Sequence, residues 1–167
     1  MTIQRKMLQE LRGEQTWAKF YQITGISCGQ LWKIEHLGHS CPPEKVRILS
    51  DLAQKCGRTL SQKEIMTLLL GGELAGRLAD LDLLLAGRTP FDTWIRQSGS
   101  QRSQIKILGI HYSTIFHRRK GKFKRFWPKR AVEIARRSNY QIDLLDLLDG
   151  SFCCLTSDNQ APKIMAW

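Results

Sequence analysis

Gly25-Ile26-Ser27-Cys28-Gly29-Gln30-Leu31-Trp32-Lys33 and Gly109-Ile110-His111-Tyr112-Ser113-Thr114-Ile115-Phe116-His117 decide how this chain is read. Each runs glycine, isoleucine, four mostly small or polar residues, an aliphatic, an aromatic, then a basic residue or histidine. Downstream, Pro43-Glu44-Lys45-Val46 stands against Pro128-Lys129-Arg130-Ala131, with Leu49 opposite Ile134. Upstream, Leu11-Arg12-Gly13 is similar to Leu85-Ala86-Gly87, and Thr16-Trp17 to Thr93-Trp94. Those upstream matches need a seven-residue insertion in the second copy, around Gln97 to Ser103. The common order of the matches is the signature of an internal repeat.

Apolar spacing places the repeats on helices. Trp17, Phe20, Tyr21 and Ile23 recur at helical spacing and stop at Thr24-Gly25. A short helix from about Cys28 to Leu37 turns Leu31 and Ile34 inward, and Pro42-Pro43 open another with Val46, Leu49, Leu52 and Ala53 on one stripe. In the second copy Ile105 and Leu108 precede Gly109, Ile115 anchors the next helix, and Pro128 opens one bearing Ala131, Val132, Ile134 and Ala135. The expected fold class is mainly α: two tandem units, each helix, glycine turn, helix, loop, helix.

Two short helices joined by a tight turn containing glycine form the helix-turn-helix motif. Glycine suits the turn because positive φ is costly for a residue with a Cβ. Ile26 or Ile110 then plugs the corner, and Leu31 or Ile115 pins the second helix to the core. The polar positions between them face outward, where they can reach base edges in a major groove. In the second unit this outward set is His111, Tyr112, Ser113, Thr114, His117 and Arg118, with arginine suited to bidentate readout of guanine. In the first it is Ser27, Cys28, Gln30 and Lys33, with Gln30 a candidate adenine reader; the alternative for that unit is dimerisation or partner binding.

Charge favours the second unit. The 167 residues hold 26 Lys and Arg against 15 Asp and Glu, a net charge of +11, which selects polyanionic partners. Residues 1–75 carry ten basic and seven acidic residues, against sixteen and eight in the remainder. From Arg118 to Arg137 ten basic residues face one acid, Glu133. Arg119, Lys120, Lys122, Lys124, Arg125, Lys129 and Arg130 are therefore candidate phosphate contacts, whose hallmark is affinity falling with salt. Phe123, Phe126 and Trp127, interleaved with them, fit a short β-hairpin wing packed on the domain, or stacking on unpaired bases.

From Trp17 to Ala53 and from Gln101 to Arg137 the chain resembles the helix-turn-helix regulators of the Xre/Cro and MerR groups. Gln101 fits the first position of that motif, Gly109 the turn, and Ile110 and Ile115 the core positions. Lys120-Gly121-Lys122-Phe123-Lys124-Arg125-Phe126 before a helix is similar to the winged version in MerR-like and excisionase proteins. Arg118 stands where the motif usually has an aliphatic, and Tyr21 where a small residue is usual. The tandem layout resembles the small MerR-type repressors that accompany cyanobacterial CRISPR-associated transposons. The resemblance implies a transcriptional repressor that binds double-stranded DNA at a promoter or operator. Operators are commonly palindromic, so a homodimer is expected. The alternatives are an architectural or excisionase-like protein of a mobile element, which bends DNA, and an RNA-binding protein.

The expected domains are 1–72, 73–150 with the wing, and a tail at 151–167. Gly71-Gly72 marks the break. Leu74, Leu78, Leu81 and Leu85 follow the spacing of an amphipathic helix, and Ile142, Leu144, Leu145, Leu147 and Leu148 form a similar stripe; either is a candidate dimer seam. Phe152, Leu155, Ile164, Met165 and Trp167 make the tail apolar enough to dock on a partner subunit.

Other classes fare poorly. No run of 18 apolar residues exists, and MTIQRKMLQELRGEQ lacks the apolar core of a secretory signal, so a cytoplasmic, nucleoid-associated protein without a membrane partner is expected. Five cysteines (Cys28, Cys41, Cys56, Cys153 and Cys154) show no repeated spacing. Cys28, His36, His39 and Cys41 match no zinc module, so no metal or cofactor is expected. Asp143, Asp146 and Asp149 read as a solvated helix face, no phosphate-binding glycine loop occurs, and neither an enzyme nor a small-molecule ligand is expected.

Overall fold

The computed structural model describes residues 2–97, 99–121 and 125–149, and the expected tail at 151–167 lies outside them. It is mainly helical, with twelve helices among the described residues. The chain divides into two compact units, Met1–Leu85 and Ala86–Trp167, so the division falls after Leu85 where the sequence placed it after Gly72.

In the first unit, α1 (Ile3–Arg12), α2 (Trp17–Thr24), α3 (Cys28–Leu37), α4 (Pro43–Lys55) and α5 (Gln62–Leu70) enclose one core, followed by α6 (Gly72–Arg77) and α7 (Leu81–Ala86). Helix starts are set by side chains that satisfy otherwise unpaired amides: Thr2 accepts from the Arg5 N–H, Thr16 from Lys19 and Ser27 from Gln30, while Ser61 and Glu64 form a capping box. Met7, Leu8, Phe20, Leu31, Val46, Leu49, Ile65 and Leu68 are buried. Burial of side chains this size stabilises by about 1.5–3 kcal/mol each.

Gly71-Gly72 is packed, not a linker. At Gly71 (φ +88°) a Cβ would lie 2.8 Å from the Gly38 carbonyl oxygen and 2.9 Å from the Ser40 nitrogen. The wholly buried Gln4 amide ties this corner together: Nε2 donates to the His39 carbonyl at 2.9 Å, and Oε1 accepts from the Gly72 N–H at 2.9 Å. Gly71 is needed because two backbones meet there, and Gly72 because the Gln4 carboxamide oxygen would lie 2.6 Å from a Cβ, which composition cannot distinguish from a hinge. The leucine stripe from Leu74 to Leu85 is likewise not one helix. It is interrupted between Arg77 and Leu81, with Leu81 and Leu84 buried and Leu83 exposed.

The second unit contains α8 (Phe91–Gln97), α9 (Gln101–Leu108), α10 (Tyr112–Arg119), α11 (Pro128–Arg137) and α12 (Leu144–Asp149). Ile142, Leu144, Leu145, Leu147 and Leu148 are all buried within it, so this stripe is core and offers no seam to a second chain. Asp146 is also inside, correcting its assignment to a solvated face. The expected β-hairpin wing is not supported: no strand occurs among the described residues. Gly121 ends a turn, and the Phe126 N–H donates to the Leu147 carbonyl at 2.8 Å instead of to a hairpin partner. The centre of that wing, Lys122, Phe123 and Lys124, lies outside the described residues. Among the described residues an isolated bridge pairs Thr89 with Ile142 in parallel.

Cysteine reactivity offers a direct check on the packing. Cys41 is buried, which pushes its thiol up to about 12, with Glu44 adding to the shift; Cys28 and Cys56 are exposed. The thiolate is the reactive form. At pH 8 an alkylating reagent is expected to label Cys28 and Cys56 within minutes, and Cys41 only after denaturation. Peptide mapping that found Cys41 labelled as fast as Cys28 in the native protein would refute this packing.

Candidate nucleic-acid interface

The same turn is built in both units. Helices α2 and α9 are each eight residues long and end on a left-handed glycine, Gly25 at φ +63° and Gly109 at φ +64°. Thr16 caps α2 and Ser100 caps α9 through a side-chain oxygen. The next helices start at caps Ser27 and His111, and their inward residues Leu31 and Ile115 are buried. Ile26 is buried, whereas its counterpart Ile110 is only partly so. The first basic residue of each proline-opened helix that the alignment pairs, Lys45 in α4 and Arg130 in α11, donates to the carbonyl of the turn glycine: Lys45 Nζ to Gly25 at 3.1 Å, and Arg130 to Gly109.

This equivalence needs no insertion. Thr16-Trp17 corresponds to Ser100-Gln101, not to Thr93-Trp94, because Ser100 caps α9 whereas Thr93 lies inside α8. The expected seven-residue insertion is absent between the two turns and the helices that precede them. The tryptophan match was a coincidence of residue type; a cap position is defined by backbone geometry.

Arg118 is the largest departure from the outward set. It corresponds to the buried Ile34 of α3, and its side chain is only 9% exposed. One guanidinium nitrogen donates to the Asp146 carboxylate at 3.1 Å and to the Asp146 carbonyl at 3.0 Å, with Asp92 3.9 Å from Nε. The guanidinium lies 5.1 Å from the centre of the Phe91 ring and 5.8 Å from that of Phe126. Asp146, 13% exposed, also accepts from the Phe91 N–H at 2.8 Å. A motif position that usually holds an aliphatic here holds an inward ion pair, so Arg118 is tied to the core where base readout was expected.

The remaining α10 residues form an exposed face. Tyr112 (58% exposed) and Phe116 (46%) sit one turn apart, beside exposed His117, Arg119 and Lys120. Lys120 Nζ lies 4.3 Å above the Phe116 ring, and the His117 ring meets it edge-on at 5.8 Å. Ser113 and Thr114 are partly covered. His111 Nδ1 accepts from the Ser113 N–H at 3.2 Å and lies 2.7 Å from its hydroxyl, so this imidazole is occupied as a cap. Arg125 and Lys129 are exposed, and Lys122 and Lys124 lie outside the described residues.

Three residues of α11 brace the turn. Glu133 bridges Arg130 and Arg137, the latter at 2.8 Å, and Arg137 packs where a Cβ on Gly109 would stand. The hydrogen bond from Arg130 and the charges of both arginines hold the Glu133 carboxyl below its ordinary range. Its single negative charge sits between two guanidiniums, leaving that surface cationic. Trp127, which the sequence offers for a wing or for stacking on unpaired bases, is exposed, whereas Phe116 and Arg137 are not among the contacts the sequence suggests. Phe116 follows Tyr112 at i+4, and Arg130, Glu133 and Arg137 share the i, i+3, i+7 spacing of one helix face, so those signals were present.

The first unit gathers a different set. Ser27 is spent on its cap, and exposed Cys28 places its thiol 3.6 Å from the Trp17 carbonyl. Gln30 and Lys33 are exposed, and Trp32 stacks on His36 at 5.0 Å and 14°. Where α10 has exposed Arg119, α3 has buried Glu35, accepting from Gln9 Nε2 of α1 at 3.0 Å. Helix α1 packs on α3 and removes that position from solvent.

Among the described residues no group of three or more His, Cys, Asp and Glu comes together, so Cys28, His36, His39 and Cys41 form no such cluster. Among them, too, no helix is long and apolar enough to cross a membrane. Comparison with known proteins found no matching family model, no matching curated protein and no matching solved structure.

Proposed function

We propose that this chain is a sequence-specific regulator of transcription that lays α10 in a major groove of duplex DNA and represses by occupying an operator. The observation that supports this most is the duplicated turn: two capped helices around a left-handed glycine, with a basic side chain on the turn carbonyl, occur twice in one chain. That geometry presents the outer face of the second helix to a groove. The exposed His117, Arg119, Lys120 and Lys129 of the second unit favour it as the main DNA contact, and a homodimer on a two-fold site belongs to the same proposal. No catalytic step is part of it.

The test is binding to duplex DNA from the gene's own upstream region and to a scrambled duplex, across a salt series. The upstream duplex should bind more tightly, and His117→Ala should narrow the difference about fivefold, the lower range for one lost base contact. Equal, purely salt-dependent binding to both duplexes would withdraw the repressor proposal and leave an architectural role.

A further inference from the structure

Beside α10 the second unit holds a groove of about 530 Å³, lined among others by Ile110, His111, His117, Phe126, Trp127 and Arg130. That volume falls in the roughly 300–1,000 Å³ range of small-ligand sites. Trp127 is 81% exposed although its neighbour Phe126 is buried. A tryptophan is usually well covered, so an indole this open stands out. The backbone that carries it is anchored on both sides. Phe126 packs 5.4 Å from Phe91 and its N–H donates to the Leu147 carbonyl at 2.8 Å, while Pro128 opens α11 immediately after. The indole therefore stands on an anchored backbone at the lip of the groove.

The other lining groups define what could lie against that indole. Arg130 is fixed by the Gly109 carbonyl and by Glu133, and brings positive charge to the groove. His117, which also lines the groove, adds a nitrogen hydrogen-bonding group. A flat π-face joined to an anion matches both features. Paired bases in a duplex keep their faces inside the stack, so an unpaired nucleotide is the form that offers one.

We infer that the groove receives one unpaired nucleotide, its base laid on Trp127 and its phosphate held by Arg130. The inference rests on the DNA-binding proposal only for where that nucleotide comes from: a base extruded from a bound strand, or a free mononucleotide.

The test uses the full chain and two duplexes that differ only by one bulged adenine. Binding is read by fluorescence anisotropy at fixed salt, for the wild type, Trp127→Ala and Trp127→Phe, with circular dichroism melts to establish that each variant folds. Wild type should prefer the bulged duplex about 5- to 100-fold, the scale of one base–aromatic stack. Trp127→Ala should abolish the preference and Trp127→Phe retain most of it. Competition by millimolar deoxyadenosine monophosphate against the bulged duplex assigns the groove to free nucleotides as well; lack of competition confines it to strand-borne bases. Equal affinity of the wild type for both duplexes, or a preference that survives Trp127→Ala, overturns the inference. If sequence selectivity is absent but the Trp127-dependent preference remains, the repressor proposal fails and this inference stands.

Discussion

Arg118→Ala is expected to destabilise the second unit by about 3–5 kcal/mol, the usual cost of removing one partner of a buried ion pair. Its own side chain is 9% exposed and that of Asp146 13%, so solvent does little to screen the pair. After the substitution Asp146 keeps the Phe91 amide but loses the guanidinium, leaving a buried carboxylate under-compensated. The loss of guanidinium packing beside Phe91 and Phe126 adds to this. For a domain of this size each kcal/mol lowers Tm by about 4–8 °C. The expected drop therefore exceeds about 12 °C, enough to unfold a domain of ordinary marginal stability at working temperature. Hydrogen exchange should show the lost protection in peptides of residues 86–149.

The double change Arg118→Met with Asp146→Asn should recover most of the loss, because no buried charge remains and the Asn oxygen still accepts from Phe91. A variant Arg118→Ala that stays fully folded, within about 4 °C of wild type, yet loses DNA selectivity would return Arg118 to the recognition surface. The stability measurement must accompany any binding assay, since an unfolded second unit would imitate the loss of a base contact.

The second large effect concerns charge. The triple substitution of Arg119, Lys120 and Lys129 by glutamine, all exposed at the end of α10 or on α11, should weaken duplex binding about 100-fold at 0.15 M salt. Each phosphate contact contributes roughly 0.9 to the slope of log K against log salt, so three contribute about 2.7, and log 0.15 is about −0.8. The slope itself should flatten by about 2.7 while the melting temperature changes little, because these side chains lie on the surface. The upstream and scrambled duplexes should weaken together, since phosphate contacts position a protein but carry no sequence. An unchanged slope would show that the second unit does not meet the backbone through this face.

The fold was legible where local chemistry decides it. Gly25 and Gly109 end helices, Pro43 and Pro128 open them, and Leu31 and Ile115 are buried, each following from φ preference or apolar spacing within a few residues. The exposed part of the candidate site, including Tyr112, His117, Arg119 and Lys120, was legible for the same reason: helical period assigns a residue to a face. The failures share a different cause. Arg118 resembles any other cation of a basic run until Asp146, 28 positions later, packs under it. Gly71-Gly72 reads as a hinge until Gly38 and Ser40 close on it.

What the amino-acid sequence determined by itself, then, was the repeat, the two glycine turns, the mainly helical class and the cationic bias of the second half, all properties of neighbours along the chain. Only the tertiary structure decided which cation points inward, which leucines close a core, and that Trp127 stands open beside a buried Phe126. Those outcomes depend on contacts between residues far apart in the chain, where desolvation and pairing set the orientation of a side chain, and residue type alone carries no record of them.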